Sequence, residues 1–257
     1  DRDQRNWTAN PTSIDGQSAG RCVQAIGTYW SDRTAAVLDG FIIRNGNAEG
    51  TQGGGMYMVE CSPTIRNCVF AANRAAYGGG ISVYAGSSPL VVDCTFTGNQ
   101  ANGRFYGGGA VYVRGSYSRL INCSMIGNNA SFGGAVNIVS SQTEMTGCEL
   151  IGNAGSIDGG AVQVVSSHVM ITDCTFSGNT SPGDGGAIRG VKTTGMVVGC
   201  EFASNSAGEN GGRGGGISTS SRMITVTNST FIGNSAYTGG GIFSEESDAL
   251  VENCIFA

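Results

Sequence analysis

Apolar residues occur along this chain in short bursts, and the bursts recur. From Cys68 onward nearly every stretch carries the string Cys-x-Phe-x-x-Asn, with Cys at Cys68, Cys94, Cys123, Cys148, Cys174, Cys200 and Cys254. Ser229 substitutes once and Phe41 stands in at the start, and the spacing from Cys68 onward is 25 to 29 residues. Two positions on come Phe70, Phe96, Met125, Leu150, Phe176, Phe202, Phe231 and Phe256. Three further on come Asn73, Asn99, Asn128, Asn153, Asn179, Asn205 and Asn234. A second column follows the glycine pairs: Met56, Ile81, Val111, Val136, Val162, Ile188, Ile217 and Ile242, each preceded by Gly or Ala. A third lies three residues before the cysteine position: Ile65, Val91, Leu120, Met145, Ile171, Val197, Val226 and Val251.

Segments rich in β-branched residues and broken every few positions by Gly, Asn or Ser are short strands joined by tight turns, so this period is not a helical repeat. One such coil cannot bury its own apolar face. Coils must stack, about 4.8 Å apart, with like residue above like. The pattern therefore predicts an all-β, right-handed parallel β-helix of about nine coils with three short strands each. Residues 21–257 form this single domain, and residues 1–20 form a polar N-terminal arm or cap. Inward Phe, Ile and Val fill the bore, and the small residue before each Ile/Val position admits backbone from the turn. The corner Asn residues adopt left-handed geometry and bond to their equivalents in neighbouring coils. The residue before each Cys, among them Asn67, Asp93, Asn122 and Asp173, is of a type that tolerates a left-handed corner.

The turn between the second and third columns is nearly constant in length, whereas the turn after the Asn varies and is longest at Asn102–Gly107 and Gly208–Arg213. Insertions on one face of a solenoid mark a binding side. Aromatic residues gather there: Tyr77, Phe105, Tyr106 and Phe132 precede glycine pairs, and Tyr57 and Tyr112 point outward from the next strand. As a planar row they suit sugar stacking or a protein interface. Asp158 and Asp184 precede successive glycine pairs, one coil apart, with Arg189 and Lys192 downstream. Such a group could bind calcium or serve as acid and base with the arginine abstracting a proton, as in a polysaccharide lyase. The plainer expectation is that these aspartates cap exposed N–H groups, leaving no catalytic residue, metal site or cofactor.

Composition narrows the field. The 14 basic residues include one lysine, Lys192, and form no run, and the net charge is -5, so nucleic acid and anionic membrane are poor partners. No stretch is long and apolar enough to span a bilayer as a helix. The N-terminus lacks the organisation of a signal peptide, so the chain reads as a mature form or a piece of something longer. His168, the one histidine, reads as a surface residue. Seven of nine cysteines share one column, as stacked buried thiols would, and Cys22 and Cys61 fall outside it as the candidate disulfide. The last coil stops partway through a repeat, leaving Ile242, Val251, Cys254 and Phe256 as an apolar cross-section that invites head-to-tail self-association.

Gly133-Gly134-Ala135-Val136, Gly159-Gly160-Ala161-Val162 and Gly185-Gly186-Ala187-Ile188, together with Phe96 to Asn99 and Phe176 to Asn179, resemble the paired motifs of secreted bacterial β-helix repeat proteins, including the polymorphic outer-membrane proteins. The pattern covers residues 40–257. The resemblance implies export, an extracellular or cell-surface location and an adhesive or structural role. A carbohydrate-active β-helix, whether lyase, hydrolase or binding module, is the competing expectation. The Gly-His-Gly and paired-Asp signatures of polygalacturonases are absent from the sequence.

Overall fold

The computed structural model describes residues 11–27, 36–220, 224–246 and 248–257. Within them every strand pairing is parallel, and the strands stack into sheets of ten, nine, nine and seven strands. Successive strands of a sheet come from successive coils, and parallel crossovers of this kind are right-handed. The chain is a right-handed parallel β-helix.

The three sequence columns become the three long sheets. The first sheet runs from Thr12–Asp15 and Phe41–Arg44 through Val69–Ala71 to Ile255–Phe256. The second runs from Val23–Ile26 through Met56–Val59 to Ile242–Glu245, and the third from Val37–Asp39 through Thr64–Arg66 to Leu250–Glu252. The expectation of three strands per coil is corrected by a fourth sheet of seven short strands, from Asn47–Gln52 to Ser206–Ala207, inside the variable turn. Its strands are only two residues long in three coils, too short for an apolar period to register. The N-terminal boundary also shifts: Thr12–Asp15, within the expected polar arm, pairs with Phe41–Arg44 as the outermost strand of the first sheet.

Stacking converts columns into ladders. Phe70 lies over Phe96 with centroids 5.0 Å apart, and Phe176, Phe202, Phe231 and Phe256 stack at 4.6 to 4.9 Å. The asparagines form a continuous amide ladder. Each Nδ2 from Asn73 to Asn205 donates to Oδ1 of the next Asn at 2.9 to 3.0 Å. The second amide hydrogen goes to a main-chain carbonyl of the neighbouring coil, and Oδ1 accepts a backbone N–H as well, as at Asn128. Every polar atom of these buried side chains is thereby used. The left-handed residue at this corner is the one before the Asn (Ala72, Gly98, Gly127, Gly152, Gly178, Ser204 or Gly233), so that part of the expectation is corrected.

The cysteine corner behaves as the pattern requires. Asn67, Asp93, Asn122, Gly147, Asp173, Gly199, Asn228 and Asn253 all have positive φ. Each following thiol turns inward and donates to the carbonyl two residues back, Cys94 to Val92 at 3.2 Å and Cys174 to Thr172 at 3.3 Å. Ser229 reproduces the arrangement with its hydroxyl on Thr227 O at 2.9 Å. Thiol–thiol hydrogen bonds and burial push Cys94, Cys123 and Cys174 above the usual thiol range. All nine cysteines are free.

Candidate functional site

The variable turn does not merely border the second sheet; it covers its outer face. The outward row Ser82, Tyr112, Asn137, Gln163, Arg189 and Ser218 is buried. Close approach is set by the second glycine of each pair: a Cβ on Gly160 would collide with the carbonyl oxygen of Gly186 in the next coil. The small residue that follows meets both the next coil's backbone and a core ring, Gly80 facing Ala110 O and Phe96.

This covering decides the fate of the aromatic residues. Tyr77, Tyr106 and Tyr112 do not lie in a planar row; they pack at tilted angles with centroids 5.5 to 6.1 Å apart. Tyr112 is buried at the centre, and burial pushes its phenol up to about 12 against the lowering influence of Arg114. The Arg114 guanidinium lies 5.5 Å from the Tyr106 ring and 5.8 Å from Tyr84. Phe105, 76% exposed, stands out from the same turn beside exposed Arg104. Tyr57 lies two coils from Tyr112 and holds Arg21 at 4.8 Å over its ring, while half-buried Phe132 gives its carbonyl to Asn137.

Asp158 and Asp184 do stand in equivalent places, and both serve the next coil's backbone. Asp158 Oδ1 accepts from Asp184 N at 2.8 Å, and Asp184 Oδ1 accepts from Arg213 N at 3.0 Å. The Asp184 carboxylate is further bound by Arg213 at 2.9 Å and Arg189 at 3.3 Å, and Arg213 reaches on to Glu245 at 2.7 Å. Asp184 pushes the Arg213 guanidinium up. Lys192 follows the far end of the strand Ile188–Val191, so the structure does not bring it to this cluster. Both oxygens of the Asp184 carboxylate are thereby engaged by arginine. Among the described residues no group of three or more His, Cys, Asp or Glu could hold a metal.

Cys22 and Cys61 are not paired. Cys22 Sγ donates to Arg44 O at 3.3 Å and Cys61 Sγ to Ala25 O at 3.5 Å. Cys61 belongs to a ladder that the sequence pattern did not reveal, at the corner between the second and third sheets. There Ser87, Ser116, Ser141, Ser167 and Thr193 succeed it, each turned inward onto a carbonyl as the thiols are, Ser167 onto Val165 at 2.7 Å. Each is preceded by a residue of positive φ, and this repeated pair was the available signal. The corner leaves a polar groove of about 820 Å³ along five coils, between an outer rim that includes Ser140, Ser166 and Lys192 and an inner rim that includes Tyr117, Gln142 and His168. His168 Nδ1 lies 3.1 Å from Thr194 Oγ1 on that rim.

Of the candidate assembly residues, Val251 and Phe256 are 40% and 53% exposed, and Ile242 and Cys254 are half-buried. A further coil, of this chain or of another copy, would cover this rung.

Residues 14–116 match the right-handed beta helix region family. The chain is similar to right-handed β-helix repeat proteins. Residues 173–190 of the β-helix match the repeat of the Chlamydia polymorphic membrane protein family, on the coil that carries Phe176, Asn179 and the Gly185–Gly186 pair. No curated protein and no solved structure matches the β-helix. No helix among its described residues is long and apolar enough to cross a membrane.

Proposed function

We propose that this β-helix is a surface or outer-membrane-associated protein that displays an adhesive face, with the variable turn as its contact side. The two family matches support the location. The carrying observation is Phe105, raised on the long turn above the Tyr77–Tyr106–Tyr112 cluster with Arg104 beside it. Exposed aromatic and arginine side chains on a packed base are what anchor protein interfaces. Because the rings beneath are tilted and mutually packed, no flat platform remains for a sugar face, which favours a protein partner. The competing lyase reading needs a free carboxylate, and the double arginine grip on Asp184 opposes it.

Beads coated with the purified chain are to be tested for capture of immobilised extracellular-matrix proteins. Phe105→Ala combined with Arg104→Ala should reduce capture at least ten-fold, with an unchanged circular dichroism spectrum. Undiminished capture would remove the adhesive role from this face.

A further inference from the structure

The groove between the second and third sheets lies on a different side of the coil from the aromatic turn, and nothing in the adhesive reading uses it. Its regularity comes from the backbone. In five successive coils a left-handed residue, Gly86, Gly115, Ser140, Ser166 or Lys192, throws its side-chain position outward. The next residue turns in, and the one after faces out again, in four of the five coils at the start of a third-sheet strand. Two parallel rims result, each repeating at the coil spacing, over a length of about 19 Å for four steps.

The lining chemistry is specific. Hydroxyls, the Gln142 amide, the His168 imidazole and the Tyr117 ring face the groove, and no carboxylate lines it, although the chain as a whole carries a net charge of -5. Its charged end is positive: Lys192, the sole lysine of the sequence, stands beside His168 and Thr194. At the other end Gly86 and Gly115 leave the rim low.

A peptide lying in this groove would find no strand edge to extend and no free N–H at the left-handed corners Ser140 and Ser166. The strands cross it at right angles, and the corner N–H groups are spent on the next coil, Ser140 on Val165 O at 3.0 Å and Ser166 on Val191 O at 2.9 Å. Recognition is left to side chains that exchange hydrogen bonds with hydroxyls, to one ring suited to the apolar face of a sugar, and to a cation.

We propose that this groove binds a linear anionic glycan laid along the solenoid axis, with a carboxylate or sulfate at Lys192 and His168 and the chain's hydroxyls along Ser166, Gln142 and Ser140. Binding, not cleavage, is the expected activity.

Isothermal titration with oligogalacturonides and heparin oligosaccharides of two, four and six sugars tests this, the two series separating carboxylate from sulfate recognition. Affinity in at least one series should rise more than ten-fold from two sugars to four and then level off as the groove fills. Lys192→Ala should weaken the hexasaccharide at least ten-fold. Gln142→Trp, which obstructs the groove without altering charge, should weaken it as much while keeping the circular dichroism spectrum. In the unmodified protein, bound hexasaccharide should protect Lys192 from acetylation, read by peptide mass spectrometry. The proposal is overturned by no binding in either series, by equal affinity for two and six sugars, by an unaffected Lys192→Ala or Gln142→Trp variant, or by polyglutamate of equal charge binding as tightly. That last outcome would assign the site to acidic peptides.

Discussion

Each asparagine of the amide ladder answers for several buried groups at once. Asn128 accepts from the backbone N–H and the Nδ2 of Asn99, and donates to Phe96 O and Asn153 Oδ1. Asn128→Ala leaves those partners buried without replacements, since no water can enter a bore packed by Phe96 and Met125. The expected cost is about 3 kcal/mol, measured as a lowered urea midpoint at unchanged slope. The thiol ladder is more forgiving, because Ser229 already shows a hydroxyl making the same bond. At this scale much was legible in the sequence, since a stacked column must repeat one chemistry to repeat one bond. What escaped was the second corner ladder, where Cys61, five hydroxyl residues and their varied left-handed predecessors share a geometry but no single residue type.

Within a coil, the glycines divide into those that turn and those that let another strand approach. Gly152 has φ of 60° and open space around its missing side chain, and Ala72 and Ser204 adopt similar angles at equivalent corners. Gly152→Ala should therefore cost about 1 kcal/mol, the strain of a left-handed alanine. Gly160 has ordinary φ but backbone packed against it from the next coil, so Gly160→Ala should cost roughly 3 kcal/mol as the covering turn is forced off the second sheet. Thermal unfolding of both variants distinguishes the two roles, and similar losses would contradict it. The same covering explains why the aromatic residues were legible as a cluster and not as a row. Alternation places Tyr112 outward, but only the fold shows that outward here means beneath a turn. It also explains the fate of the carboxylates: Asp158 and Asp184 were found by their spacing, whereas Arg213, which neutralises Asp184, comes from a turn of variable length with no fixed offset.

Across the whole molecule, register is the property that repetition protects. Glu149 pairs with Thr175 and Cys148 is one repeat from Cys174, so deleting residues 149–174 joins equivalent points of two coils. The shortened chain should keep its β-rich circular dichroism spectrum and melt cooperatively at a lower temperature, as one interface is lost from a nearest-neighbour stack. Deleting residues 149–161 removes the first-sheet strand Glu149–Ile151, joins the third-sheet strand Gln142–Thr146 to the second-sheet strand Val162–Val165, and should abolish the folded spectrum. A retained fold in the second case would show that register is not what specifies the solenoid. The Asn ladder adds a further consequence. From Asn73 to Asn205 every amide points Nδ2 at the following coil and Oδ1 at the preceding one, so the six links run in one sense. Aligned amides polarise one another, and their dipoles add along the axis. The rod is in that respect an electret, negative towards Asn73 and positive towards Asn234, and two such rods lying side by side attract when they run in opposite directions.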